Sequence, residues 1–114
     1  MGRGTISSDV VDIIIPSEIN GKRVITIDWP NDSITKSIYI PYTVGTIHGF
    51  IDCPALEKIN IPNSVRTAGN DPLSGNIFGN SPKLTIYTEH HEIPENWREY
   101  YGWNFPNERV IFGY

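Results

Sequence analysis

The run Phe50-Ile-Asp-Cys53-Pro-Ala-Leu56-Glu-Lys-Ile59-Asn-Ile61-Pro62-Asn-Ser-Val65 decides the fold. Within it, Ile59-Asn60-Ile61 alternates with the period of 2 of a half-buried strand, both isoleucines facing inward. Pro62 cannot donate to a sheet ladder, so it ends that strand. The same pattern appears twice upstream. Ile13-x-Ile15-Pro16-x-x-Ile19 and Ile38-x-Ile40-Pro41-x-x-Val44 align with Ile59-x-Ile61-Pro62-x-x-Val65, the prolines falling 25 and then 21 residues apart. Trp29 and Phe50 each stand 12 positions ahead of Pro41 and Pro62. Downstream, Phe50-x-x-Cys53-x-x-Leu56 recurs as Phe78-x-x-Ser81-x-x-Leu84. Agreement at several fixed offsets establishes an internal repeat.

The physics of one repeat follows from its apolar positions. After each proline comes a second pair three residues apart: Val24 and Ile27, Val44 and Ile47, Val65 and Ala68. That pair brings another side of a coil back over the core. The aromatic fills the corner, and Cys53 with Leu56, or Ser81 with Leu84, closes the turn. A unit this small cannot bury its apolar face alone, so neighbours must stack into a solenoid. Spacing in the low twenties lies within the leucine-rich-repeat range of about 20–29 residues.

Composition agrees. The chain has 114 residues, enough for one domain, with 18 Ile and 6 Val against 3 Leu and 2 Ala. With 10 Gly, 9 Pro and 10 Asn as punctuation, short strands joined by turns are expected and a helical bundle is excluded. Nine Lys and Arg against 13 Asp and Glu give a net charge of −4, with no basic cluster beyond the pair Lys22-Arg23. Nucleic acid, which needs several cations aimed at phosphates, is not an expected partner. Cys53 is the single cysteine, so no internal disulfide staples the fold. The longest apolar run, Ile13-Ile14-Ile15, is far too short for membrane insertion. Met1 to Ser8 has no apolar core of a signal peptide. The expectation is either a protein kept inside the cell or a chain cut from a longer exported one.

The run 50–65 resembles the BspA-like bacterial leucine-rich repeat family, whose consensus reads approximately F-x-x-C-x-x-L-x-x-I-x-I-P-x-x-V-x-x-I. The opening Ile15-Pro16-Ser17-Glu18-Ile19-Asn20-Gly21-Lys22-Arg23-Val24 is similar to the family's frequent first repeat, and Leu84-Thr-Ile86-Tyr87, Pro94-Glu-Asn-Trp97 and Trp103-Asn104 to its terminal segment. The likeness spans residues 10–112. It implies a mainly β, short right-handed leucine-rich-repeat solenoid of about three repeats with an irregular aromatic C-terminal cap. The corresponding divisions are an N-terminal extension at 1–9, repeats at 10–88 and a capping segment at 89–114. It also implies binding to another protein, such as a host or extracellular-matrix protein, at a cell surface or in secreted form.

Departures from the pattern are specific. Trp29 takes the Phe position, and Asp32 with Thr35 take the Cys and Leu positions, so the first coil is expected to be less regular. Phe78 follows Val65 by 13 positions where Phe50 follows Val44 by 6. The surplus, residues 69–75, reads as a surface loop. Glu89-His90-His91-Glu92-x-x-Glu95 contains metal-ligand residue types, but adjacent histidines on a strand point to opposite faces and Pro94 interrupts any helix. It reads as a solvated polar cap. His48 has no evident partner as a base, and Cys53 reads as a buried structural thiol. No nucleophile elbow, phosphate loop or dinucleotide fingerprint occurs, so neither catalysis, a metal nor a cofactor is expected.

Residues 97–114 hold Trp97, Tyr100, Tyr101, Trp103, Phe105, Phe112 and Tyr114. Such a cluster either plugs the open end of the solenoid or offers a recognition surface. Pro94–Tyr101 reads as one or two helical turns. On the strands, the outward positions four and two before each proline are Asp12 and Ile14, Ser37 and Tyr39, and Lys58 and Asn60, with Thr85 and Tyr87 on the next rung. The stripe through Ile14, Tyr39 and Tyr87 is the expected contact surface for a protein partner. A structural element that self-assembles as a homodimer through the solenoid edge is the alternative. Carbohydrate binding through Trp97 and Trp103 ranks third.

Overall fold

The computed structural model describes residues 12–70 and 76–114. They wind into a parallel β-solenoid of about four turns. The first coil runs from β1 (Asp12–Ile14) through the hairpin β2 (Glu18–Ile19) and β3 (Lys22–Arg23) into β4 (Thr26–Trp29). The second holds β5 (Ser37–Tyr39) and β6 (Thr46–Gly49), and the third β7 (Lys58–Ile61) and β8 (Thr67–Ala68). In the fourth, β9 (Thr85–Thr88) is followed by the helix α1 (Glu95–Tyr101), which lies against β8 where another strand would stand. A 3-10 turn at Asn107–Arg109 then leads into β10 (Val110–Ile111).

Two parallel sheets result, ordered β1-β5-β7-β9-β10 and β4-β6-β8. In the first, Ile13 pairs with Ile38, Ile38 with Ile59, Ile59 with Ile86 and Ile86 with Val110, so one inward row crosses five strands. In the second, Ile27, Ile47 and Ala68 form the matching inward row. The period-2 alternation thus becomes two apolar faces with the core between them, and Ile38, Ile47, Ile59, Ile61 and Ile86 are all buried. Pro16, Pro41 and Pro62 each follow the end of a first-sheet strand, as a residue without an N–H must. The C-terminal segment adds a strand to the first sheet, since β10 pairs in parallel with β9.

A third side is built from the aromatic corners. Phe50 N–H donates to Trp29 C=O (2.9 Å) and Phe78 N–H to Phe50 C=O (2.8 Å). The rings follow the backbone: Trp29 and Phe50 stack at 5.9 Å and 6°, Phe50 and Phe78 meet at 5.1 Å, and Trp103 and Phe105 close the column edge-on against Phe78. Phe50 and Phe78 both take φ near +55°, at 52° and 57°. Bulky side chains rarely adopt that conformation, and the stacked rings and the coil-to-coil hydrogen bonds hold it here.

The first coil carries an extra hairpin, β2–β3, while the corner that holds Asp32 and Thr35 keeps the coil-to-coil register. Register between β4 and β6 runs unbroken from Thr26↔Thr46 to Trp29↔Gly49. Asp32 serves where a buried thiol serves in the next coil. Its carboxylate accepts from the N–H of Ile34 (2.9 Å) and Thr35 (3.0 Å), from the Thr35 hydroxyl and from Trp29 Nε1 (3.2 Å). Burial alone pushes this carboxyl up, but the hydrogen bonds outweigh it and hold the pKa below the ordinary 3.8. A depressed folded-state pKa adds stability that is complete above about pH 4 and disappears as pH falls through the lower folded value. Asp32→Asn is therefore expected to cost about 1–2 kcal/mol at pH 7. Urea midpoints of the two proteins should converge as the pH is lowered below 3.8; a gap independent of pH would remove the carboxylate from this account.

Candidate binding face

Of the eight residues expected on the outward row, all but Thr85 line one groove, of about 520 Å³, on the outer face of the first sheet. Strand register places them. Asp12 lies beside Ser37 and Ser37 beside Lys58, while Ile14 lies beside Tyr39 and Asn60 beside Tyr87. Because the inward row is buried, the outward row is held at fixed height on a rigid ladder.

The polar members of this row are largely engaged within the chain. Ser37 Oγ donates to Asp12 Oδ1 at 2.6 Å. Lys58 Nζ lies 5.1 Å from the centre of the Tyr87 ring, a cation–π contact. Asn60 bridges to the coil before it: its Oδ1 accepts from Ile40 N–H (2.6 Å) and its Nδ2 donates to Ile40 C=O (2.9 Å). This amide continues the ladder where Pro41 stops it. Asn70 performs the same bridge on Gly49 in the second sheet, at 2.8 and 3.0 Å. Asn60 is thus a structural residue within the row, and the ring faces are what the groove offers.

Besides strand and proline residues of the repeat, the groove is lined by Tyr42, Glu89 and Tyr114, which the sequence reading did not place on this row. Tyr42 directly follows Pro41, where the other coils carry Ser17 and Asn63, and that contrast was the available signal. Tyr114 was legible as a member of the C-terminal aromatic cluster but not as part of this groove, because its place there depends on β10 joining the sheet. Its N–H donates to Thr88 C=O (2.8 Å) and its ring meets Tyr87 edge-on at 5.2 Å. Four of the six tyrosines therefore border one groove. Ile14 (77% exposed), Tyr42 (79%), Tyr114 (69%) and Tyr39 (53%) present apolar surface to solvent. The rim carries Asp12 and Glu89 against Lys58, whose charge rests on Tyr87.

Other candidates fall elsewhere. Trp97 and Trp103 are buried, so neither offers a free face to a sugar. Trp97 Nε1 donates to Arg66 C=O (2.8 Å), and His90 packs edge-on against Trp97 with Nε2 3.1 Å from Val65 C=O. His91 is exposed, its ring beside Gly113. His48 Nδ1 lies 3.3 Å from Asp28 Oδ1 on the outer face of the second sheet. Cys53 is buried, with its thiol pushed up to about 11 by burial and then by the charges of Asp32 and Asp52. At neutral pH it is a protonated, weakly nucleophilic group. Of the surplus loop, residues 71–75 lie outside the described residues, as does the 1–9 extension. No helix among the described residues is long and apolar enough to cross a membrane.

Comparison with protein-family models, with curated proteins and with solved structures finds no match for this chain.

Proposed function

We propose that the chain is a non-enzymatic protein-interaction module, a short solenoid of the BspA-like leucine-rich-repeat type that binds another protein through the outer face of its first sheet. One observation carries this reading: Tyr39, Tyr42, Tyr87 and Tyr114 converge with Ile14 on a single groove whose floor is a five-stranded ladder. Tyrosine combines a large contact area with few rotatable bonds and a hydroxyl for orientation, which is why it concentrates at interface hot spots. A rigid floor also lowers the ordering cost that association must overcome.

The test is a pair of substitutions in the exposed rings. Tyr39→Ser together with Tyr87→Ser is expected to weaken binding to a partner, sought first among extracellular-matrix proteins by surface plasmon resonance, at least tenfold or so. Thermal unfolding should change little, because both rings are at least partly in solvent. Unchanged binding by the folded double variant removes this face from consideration. A second reading, self-assembly through the solenoid edge, is favoured by β1, which stands at the end of the first sheet with Ile14 exposed. Light scattering settles between them: a 12.9 kDa particle at all concentrations excludes the homodimer.

A further inference from the structure

The spacing of the rings specifies what the groove takes, and the step rests on the binding face proposed above. We infer that its ligand is a proline-rich segment in the polyproline II conformation, flanked by a basic residue. Register carries Ile38 on β5 to Ile59 on β7 and Asn60 on β7 to Tyr87 on β9, so Tyr39, the residue after Ile38, and Tyr87 stand two strands apart. Strands in a sheet lie about 4.8 Å apart, which separates the two backbone positions by about 9.6 Å along the coil axis. A polyproline II helix turns once in three residues at about 3.1 Å of rise each, a repeat of about 9.3 Å. A segment running across the strands therefore brings an equivalent side chain over each ring.

Other ligand geometries fit less well. The backbones of β5, β7 and β9 are already paired on both sides, so an incoming strand gains no ladder in the groove. An α-helix is about 10 Å across, and 520 Å³ holds little more than one turn of it. Proline rings, by contrast, present flat apolar edges to the exposed ring of Tyr39 and to the half-buried ring of Tyr87, over which Lys58 lies. A polyproline II backbone has no internal hydrogen bonds, so its carbonyls are free to accept from tyrosine hydroxyls. Charge selects the flank: Asp12 and Glu89 stand on the rim, and Lys58, the one cation there among the described residues, is held over Tyr87. An arginine or lysine beside the prolines meets net negative potential there.

The experiment titrates the full chain with a nonaproline peptide ending in one arginine, against a glycine–serine peptide of equal length with the same arginine. Binding is read by tyrosine fluorescence and by NMR shifts. The expected result is saturable binding of the proline peptide alone, with shifts at Tyr39, Tyr42 and Tyr87. Tyr39→Ala should lower its affinity about tenfold, and Glu89→Gln about threefold with a flatter salt dependence. Equal binding of both peptides, or binding insensitive to Tyr39→Ala, overturns the inference. So does a preference for a soluble oligosaccharide at the same rings. A randomised peptide library separates the two levels of failure. Proline-free binders that need Tyr39 would overturn the polyproline ligand while leaving the protein-binding face in place. A library without any Tyr39-dependent binder would overturn both.

Discussion

Gly49→Ala is expected to abolish the cooperative fold, whereas Gly21→Ala leaves it nearly intact. Both glycines take positive φ, at 91° and 79°, so both substitutions carry the left-handed penalty of about 1–2 kcal/mol. Their surroundings separate them. A Cβ on Gly21 would meet nothing within 4 Å, because the glycine sits with Asn20 at the tip of the hairpin between β2 and β3. A Cβ on Gly49 would stand 2.2 Å from Trp29 C=O and 2.6 Å from Trp29 N, both main-chain atoms.

Neither partner can move aside cheaply. Trp29 C=O receives the Phe50 N–H, and the Gly49 peptide is held by both ends of the Asn70 amide. Relief of the clash separates β4 from β6 and breaks the Trp29–Phe50 stack in the same step. The cost should exceed about 4 kcal/mol, a large share of the stability of a domain of this size. Circular dichroism and urea unfolding of the two variants measure the contrast. Equal destabilisation would mean that β4 is not seated on β6 as described.

This contrast also marks how far the sequence could be read. Ile-x-Ile-Pro carries its own geometry: alternation fixes the inward face, and a residue without an N–H fixes the end. The two sheets and their inward rows followed from those facts, as did the shared face of Tyr39 and Tyr87. Residue type alone does not reveal a backbone angle, so Phe50 and Phe78 were legible as corner fillers but not as residues in the left-handed region. Asn60 looked like a free polar side chain because its partner, Ile40, is one coil away. Asp32 looked like an interruption for the same kind of reason, since its hydrogen bonds depend on where the turn places Thr35 and Trp29. Tyr114 entered the groove through the pairing of β10 with β9, two residues long and beyond the reach of periodicity.

Trp97→Ala is expected to be the costliest single truncation at the C-terminal end. The helix α1 has seven residues, too few to be stable by itself in water, so its place is fixed by what it packs against. Trp97 supplies most of that contact. Its ring is fully buried, meets His90 at 5.3 Å and Trp103 at 5.2 Å, and donates Nε1–H to Arg66 C=O beside β8. Deleting a buried tryptophan ring costs about 3–5 kcal/mol. Trp97→Phe, which keeps a ring and loses the donor, should cost about 1–3 kcal/mol. The two variants should also differ in assembly. Asn70 N–H donates to Tyr101 C=O, so α1 covers the side of the second sheet on which β8 is the last strand. Without Trp97 the helix has little to hold it there, and an uncovered strand is a template for another chain. Light scattering should then show a mass that rises with concentration for Trp97→Ala and a constant mass for Trp97→Phe. A monodisperse Trp97→Ala would show that α1 stays docked through its main-chain bond and the Trp103 ring alone.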